Sequence, residues 1–207
     1  MFYFIKTPWW LKKLYPDCVW DIKTDEKNLY LTFDDGPDPV ATPFVLEQLQ
    51  KYNAKATFFC IGKNVEHNFN LYNQMIEEGH KPGNHTYDHL NGWKTKDRQY
   101  LENIAKAKQI IDSNLFRPPY GKISRFQLAQ LKANRYKLKT IMWSVISGDF
   151  DNDISKENCF LNVTRNAKAG SIIVFHDSKK CFEKIKDVLP NVLRYFSEKG
   201  YQFKTIN

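Results

Sequence analysis

Apolar residues along the chain follow two alternating rhythms. Short unbroken runs rich in aromatic and β-branched residues read as buried strands. Between them, apolar residues recur every three or four positions, as on one face of a helix. The runs "NLYLTF" (residues 28–33), "ATFFCIG" (56–62), "LKTIMWSV" (138–145) and "SIIVF" (171–175) are strands by this criterion. "HKPGN" (80–84), "LFRPPYG" (115–121) and "YQFKTI" (201–206) are shorter extended pieces, and Pro82 makes the first of them irregular. Helical spacing joins Val45, Leu46 and Leu49 after a Thr42 cap and Pro43. It also joins Leu71, Tyr72, Met75 and Ile76 up to a stop at Gly79. Leu101, Ile104, Ala105 and Ile111 follow a Thr95 cap, and Leu128 and Leu131 mark a further helix. Two more helices are predicted over 155–167 and 182–199, the last kinked near Pro190 and ended by Gly200.

Strands and helices in alternation predict βαβ units and a parallel sheet, hence an α/β fold of about seven strands, open or closed into a barrel. No repeat or linker divides the chain, and 207 residues suit one domain with a sizeable core.

Composition narrows this little. Hydrophobic residues make up 42% and charged residues 26%, as in a globular chain. Lys plus Arg outnumber Asp plus Glu by 31 to 23, but the charge is spread out and no nucleic-acid motif accompanies it. Cys18, Cys60, Cys159 and Cys181 lie far apart, so buried free thiols are expected rather than disulfides or a zinc ribbon. That expectation leans towards a reducing compartment. Residues 1–27 open with "MFYFIKTPWWLKKLYP", which lacks a typical signal-peptide pattern. Its aromatics and lysines suit packing against the domain or a peripheral membrane contact, with packing favoured.

Candidate chemistry gathers just after the strands. Asp34 and Asp35 follow the first, His85 and His89 the third, Arg117 the fourth, Asp149 the fifth and His176 the sixth. In parallel α/β folds those strand ends meet at one mouth, where active sites lie. His85 and His89 meet on a helical turn or in a tight loop, and imidazoles suit zinc-like metals. One of the two aspartates can add a third ligand while its neighbour faces substrate, because adjacent side chains on an extended chain diverge. Arg117 can hold an aspartate ionised. The bends around Pro118, Pro119 and Gly121 can present a backbone N–H to an oxyanion. Asp149 can hold His176 protonated as a proton donor. His67 and His80 fall on helix-like surfaces and receive no role.

With these pieces in order, the chain resembles the polysaccharide deacetylase (NodB-homology) family, carbohydrate esterase family four. "TFDDGP", "HTYDH", "RPPYG", "WSVISGDF" and "IIVFHD" follow its five motifs over residues 28–206. The resemblance implies a distorted (β/α) barrel resembling a TIM barrel, with residues 28–207 as the catalytic domain. It implies metal-dependent hydrolysis of acetyl groups, mostly from N-acetylglucosamine units. By motif, Asp35, His85 and His89 would bind one divalent metal: zinc first, with cobalt, nickel or manganese as alternatives. Asp34 would be the base, oriented by Arg117. The Tyr120 N–H would hold the oxyanion, and His176, tuned by Asp149, would be the acid. Pro118, Pro119 and Phe150 would line the substrate site. The fourth motif departs from the family's D-x-x-D-W, with Ile146 and Phe150 at its first and last positions. These changes bear on sugar specificity and rate more than on reaction type.

The expected function is therefore N-deacetylation of a glycan such as peptidoglycan or a chitin-like oligomer. A lipid-linked amino sugar or an O-acetyl ester is the alternative substrate, and an inert carbohydrate-binding domain is the alternative class. Nothing in the sequence implies a protein partner. The glycan points to the cell envelope, and the free cysteines point to the cytoplasm.

Overall fold

The computed structural model describes residues 3–133 and 136–207. In chain order its elements are α1 (Trp9–Leu14), β1 (Asn28–Asp34), α2 (Ala41–Lys51), β2 (Thr57–Cys60), α3 (Gly62–His67), α4 (Phe69–Glu77), β3 (Lys81–Asn84) and α5 (Asp97–Lys108). There follow β4 (Leu115–Phe116), a 3-10 turn at Pro119–Gly121, α6 (Arg125–Lys132), β5 (Lys139–Thr140), β6 (Val145–Ile146), α7 (Lys156–Thr164), β7 (Ile172–His176), α8 (Phe182–Glu198) and β8 (Gln202–Phe203).

The strands pair in the order β5-β4-β3-β2-β1-β7-β6, and β8 adds to the start of β1. Every strand pairing is parallel. β1 lies at the centre because all seven of its residues are buried, as the unbroken apolar run requires. The two outer strands of the path, β5 and β6, are joined by residues 141–144 alone. Five Cα steps of about 3.8 Å reach about 19 Å, whereas a flat seven-strand sheet would hold its edges about 29 Å apart. The sheet must therefore curl, and the result is a distorted (β/α) barrel. Phe33, Phe58 and Phe175 stack on the helix-facing side of the sheet, with centroids 5.0 and 6.0 Å apart, in one apolar cluster with α2 and α8. Outside it, α8 turns a face of Ile185, Val188, Leu189, Val192, Leu193 and Phe196 inward and runs through Pro190 as one helix.

Several predicted details change. The single strand over 138–145 is two short ones, so among the described residues there are eight strands, seven along the curled path and β8 beside β1. Between β5 and β6 the Arg117 side chain takes the carbonyls of Ile141 (3.1 Å) and Met142 (2.9 Å), which removes those acceptors from any ladder. Thr42 is not the cap of α2. Asp38 accepts the N–H groups of Val40 and Ala41, and Thr42 lies inside the first turn. Thr95 does not cap α5, which begins at Asp97 after Lys96, and its buried face is Tyr100, Ile104 and Ala107. His80 is not on a helix surface. It is buried, accepts the Ala56 N–H (3.2 Å) and is pushed down to about 4 by that burial. All four cysteines are free and buried.

Residues 3–27 run across the seam between β5 and β6. Lys6 bridges Val145, Val19 bridges Ile141 and Asp21 bridges Ser171. Within this segment Cys18 and Trp20 are buried, while Trp9, Trp10 and Leu14 of α1 remain exposed. Among the described residues no helix is long and apolar enough to cross a membrane.

Candidate active site

The C-terminal ends of β1, β3, β4, β6 and β7 meet at one mouth and bring the predicted residues together. Asp34 ends β1, and the parallel register sets it beside His176 at the end of β7. Its Oδ1 accepts from Arg117 Nη1 at 2.7 Å. Arg117 is wholly buried. The same Nη1 reaches Thr32 Oγ1 (2.6 Å), and the guanidinium lies 4.1 Å from the centre of the Phe59 ring. Five donors in a rigid fork suit this task, since the arginine ties β1 to the β5–β6 crossing and fixes Asp34 at once.

Asp35 turns the other way. Its φ of 81° places a non-glycine residue in the left-handed region, and that reversal aims its carboxylate away from Asp34. Gly36 follows it against Asp177, where a Cβ would meet the carboxylate at 2.1 Å, so only glycine fits. Asp177 accepts the Gly36 N–H (3.1 Å) and the Thr42 hydroxyl (2.5 Å), and Asn64 donates to the Asp35 carbonyl (2.7 Å). Burial raises the Asp177 carboxyl well above the usual carboxylate range.

His85 and His89 come from a tight loop after β3, not from a helical turn. Asn84 accepts the Thr86 N–H (2.9 Å), and Asn103 of α5 accepts those of Tyr87 and Asp88 (2.8 and 3.0 Å). His85 is buried and its Nδ1 lies 2.8 Å from the Arg117 carbonyl. A carbonyl can only accept, so Nδ1 carries the proton. Burial pushes the ring down to about 4, outweighing the pull of Asp34, so Nε2 is left with a lone pair. That lone pair faces Asp35 Oδ1 at 3.6 Å. His89 Nε2 lies 3.1 Å from the same oxygen. Asp35 Oδ1 is itself buried and accepts no aligned hydrogen bond. Burial opposes its charge, but the facing histidines, His89 first, hold it below the usual carboxylate range.

These donor atoms all lie within 4.8 Å of one another. Two acceptor atoms in contact repel unless a cation lies between them. An orphaned carboxylate oxygen and an imidazole lone pair converging with a second imidazole fit a divalent ion.

Opposite stands a second histidine–carboxylate pair. Asp149 accepts from His176 Nδ1 (2.8 Å) and from the His176 backbone N–H (2.7 Å). Burial alone would lower His176, but Asp149 overcomes it and raises the ring to about 10. With Nδ1 so engaged, Nε2 carries the exchangeable proton. Phe150 lies edge-on to His176 at 5.2 Å between centroids, and Tyr3 packs on Phe150 at 5.0 Å. Pro118 and Pro119 are buried under the turn. Tyr120 adopts a φ of 60° and is exposed, its ring 4.7 Å from His89.

The supporting residues Thr32, Asn64, Asn84, Asn103 and Asp177 were not assigned from sequence. Asn84 and Asp177 stand at or just past apolar strand ends, whereas Thr32 lies inside β1, Asn64 in α3 and Asn103 in α5. Tyr3 belongs to the aromatic opening segment expected to pack on the domain, but no signal placed it at the site.

Residues 21–138, more than half of the chain, match the polysaccharide deacetylase family. A peptidoglycan-N-acetylglucosamine deacetylase of Bacillus cereus is 35% identical over 194 residues, 91% of each chain. A chitooligosaccharide deacetylase of Azorhizobium caulinodans is 34% identical over 75% of this chain and 76% of its own. A solved peptidoglycan N-acetylglucosamine deacetylase in complex with 4-naphthalen-1-yl-N-oxidanyl-benzamide matches with a TM-score of 0.86 at 32% identity, over 97% of this chain and 95% of that one. Its curled parallel sheet, the residues gathered at its mouth and these relatives agree: the chain belongs to the polysaccharide deacetylase family.

Proposed function

We propose that this chain is a metal-dependent N-deacetylase that removes acetyl groups from N-acetylglucosamine-type units of a glycan, peptidoglycan or a chitin-like oligomer, and releases acetate. The observation that carries this reading is the pair of facing acceptors, Asp35 Oδ1 and His85 Nε2, set between an arginine-held carboxylate and a protonated histidine. Asp35, His85 and His89 would hold the ion, zinc first by donor chemistry. When bound, the ion supplies Lewis acidity to the acetyl carbonyl and acidifies water.

The remaining steps belong to the chain's own residues. Asp34, held in place by Arg117, takes a proton from water as the water oxygen bonds to the acetyl carbon. The turn at Tyr120 offers its N–H to the oxygen that gains charge. As the C–N bond breaks, His176 Nε2 gives its proton to the departing amine. One amide and one water become one amine and one acetate. Phe150 walls the mouth beside His176, where the acetyl methyl would lie. The relatives support the substrate class, since their names cover N-acetylglucosamine in peptidoglycan and chitooligosaccharides. The N-oxidanyl-benzamide held by one relative is a hydroxamate, a head group that chelates divalent metals, which supports the metal.

The test couples elemental analysis of purified protein to acetate release over peptidoglycan fragments and chitin oligomers. The expected result is close to one equivalent of a divalent transition metal, with activity lost to a chelator and restored by the metal. Acetate release that survives complete removal of metal would overturn the reading.

A further inference from the structure

The opening segment and the residues that lead into β6 and β7 enclose a hollow of about 610 Å³. Ser144 and Ser171, each one residue before a strand, form part of its wall. The catalytic mouth gathers at the other ends of these strands. His176 ends β7, five residues beyond Ser171, about 16 Å along an extended chain. The reaction described above uses none of the residues that line this hollow.

Its charge is one-sided. Lys6, Lys12, Lys23 and Lys168 line it against a single carboxylate, Asp21. Lys12 pairs with that carboxylate. Among the described residues, Lys6, Lys23 and Lys168 pair with none. Folding gains nothing from gathering three ammonium groups without a counter-charge. A cleft lined by one sign of charge focuses its field and concentrates ions of the other sign. Neutral donors add to this. Thr24 Oγ1 accepts the Glu26 N–H (3.1 Å), and Ser171 Oγ accepts the Lys168 N–H (2.9 Å). Each hydroxyl keeps its own proton for a further acceptor. A ligand that matches this lining supplies acceptor oxygens and negative charge.

The hollow also offers a bare aromatic surface. Trp9 lines it and is 69% exposed, more than any other large apolar side chain among the described residues. Lys13 Nζ stands over its ring at 4.9 Å, which takes one face and leaves the other. An open indole face among ammonium groups suits a ligand that joins a ring to acid groups. A flat lipid surface would meet only the rim of such a hollow. Membership of a family that acts on polysaccharides favours a sugar ring over a nucleobase.

We propose that this hollow is a second glycan site, separate from the catalytic mouth, which binds a saccharide bearing carboxylate or phosphate groups, with a sugar ring on Trp9 and the acid groups among Lys6, Lys23 and Lys168. It goes beyond the deacetylase reading and does not depend on it. Three exposed ion pairs together are worth about tenfold in affinity, and salt screens them.

The experiment is calorimetric titration of the full chain with trigalacturonate, a phosphorylated maltotriose, neutral maltotriose and inorganic pyrophosphate, beside co-sedimentation with phosphatidylglycerol vesicles. At least one acidic trisaccharide should bind about tenfold tighter than maltotriose, and the tighter of the two names the acid group. That affinity should fall about tenfold between roughly 20 and 200 mM salt. The triple variant Lys6→Gln, Lys23→Gln, Lys168→Gln should weaken it about tenfold. Trp9→Ala should weaken it about threefold or more while leaving pyrophosphate unaffected. Both variants should release acetate from triacetylchitotriose as the wild type does and keep its Tm. Equal binding of maltotriose, or no binding of either acidic trisaccharide, overturns the site. Pyrophosphate binding as tightly as the saccharides, with no effect of Trp9→Ala, overturns the saccharide in favour of a bare anion. Lysine-dependent capture by vesicles without saccharide binding overturns it in favour of a membrane surface. If the wild type releases no acetate, the deacetylase reading fails, and the titrations and Tm still decide the second site.

Discussion

Two histidine–aspartate groups face each other across the mouth, built from the same residue types and pushed in opposite directions. His85, buried, is lowered to about 4, and His176, half-buried, is raised to about 10. Burial disfavours the charged ring in each case. The difference is where the carboxylate stands. Asp149 meets Nδ1 of His176 head-on at 2.8 Å and takes its backbone N–H as well. Asp35 meets the bare Nε2 of His85 at 3.6 Å, while the other ring nitrogen is held by a carbonyl. One geometry keeps a proton, and the other keeps a lone pair. A histidine near an aspartate is thus a proton donor or a metal ligand according to which nitrogen the backbone has already claimed.

The largest expected effect comes from breaking the lone-pair side. Asp35→Ala should lose bound metal and lower acetate release by roughly a thousandfold or more, because several kcal/mol of charge stabilisation go with the ion. Elemental analysis and an acetate assay on the same sample check this. Metal retained at full occupancy would refute the ligand set.

Next is the carboxylate between the two sides. Asp34→Asn should keep the metal and lower kcat by about 10²–10⁴-fold. It also leaves the buried Arg117 without its counter-charge, at a cost to stability of roughly 3 kcal/mol. Urea denaturation should therefore show the variant less stable while its metal content is unchanged.

The proton side is read through pH. The folded value of His176 is about 10 against an ordinary 6.5, so below pH 6.5 both folded and unfolded chains hold the proton. Between these values only the folded chain holds it, so this contribution to stability is complete below pH 6.5 and is lost as pH rises through about 10. His85 behaves oppositely: stability falls as pH drops from 6.5 through about 4. In chelator-treated protein, Tm should decline between pH 7 and 10, and Asp149→Asn should flatten that decline. The same variant should move the alkaline limb of kcat downward, so that activity at pH 8 falls about ten- to a hundredfold. An unshifted limb would remove His176 as the acid.

Much of this comparison was legible in the chain. β1 declared itself because seven buried residues in a row suit only a central parallel strand. The catalytic side chains declared themselves by falling just past such strands. What stayed hidden was set by tertiary contacts. The strand over 138–145 splits because Arg117, more than twenty residues earlier, takes two of its carbonyls. Asn103 reads as an exposed helix residue until the His85–His89 loop is laid across it. His80 fits a surface helix by spacing, yet the turn after α4 tucks it against Ala56. Local pattern reports which face of an element is apolar, and it cannot report which distant backbone will need a partner.

The smallest expected effect tests how Tyr3 came to touch the proton side from so far away in sequence. The family resemblance leads to tryptophan at position 150, where this chain has Phe150, and Tyr3 packs on that smaller ring at 5.0 Å. Tyr3 thus fills the space that a larger indole would take. If so, Phe150→Trp alone overpacks the wall, at a cost of about 1 kcal/mol, and lowers kcat/KM by about three- to tenfold. Tyr3→Ala alone loosens the same wall by a similar amount. Combined, the two changes should recover most of the loss, giving a coupling energy of about 1 kcal/mol of opposite sign to the single effects. Kinetics on all four corners of that cycle check it. Simple additivity would show that Tyr3 and Phe150 touch without sharing a job, and the wall beside His176 would then be set by Phe150 alone.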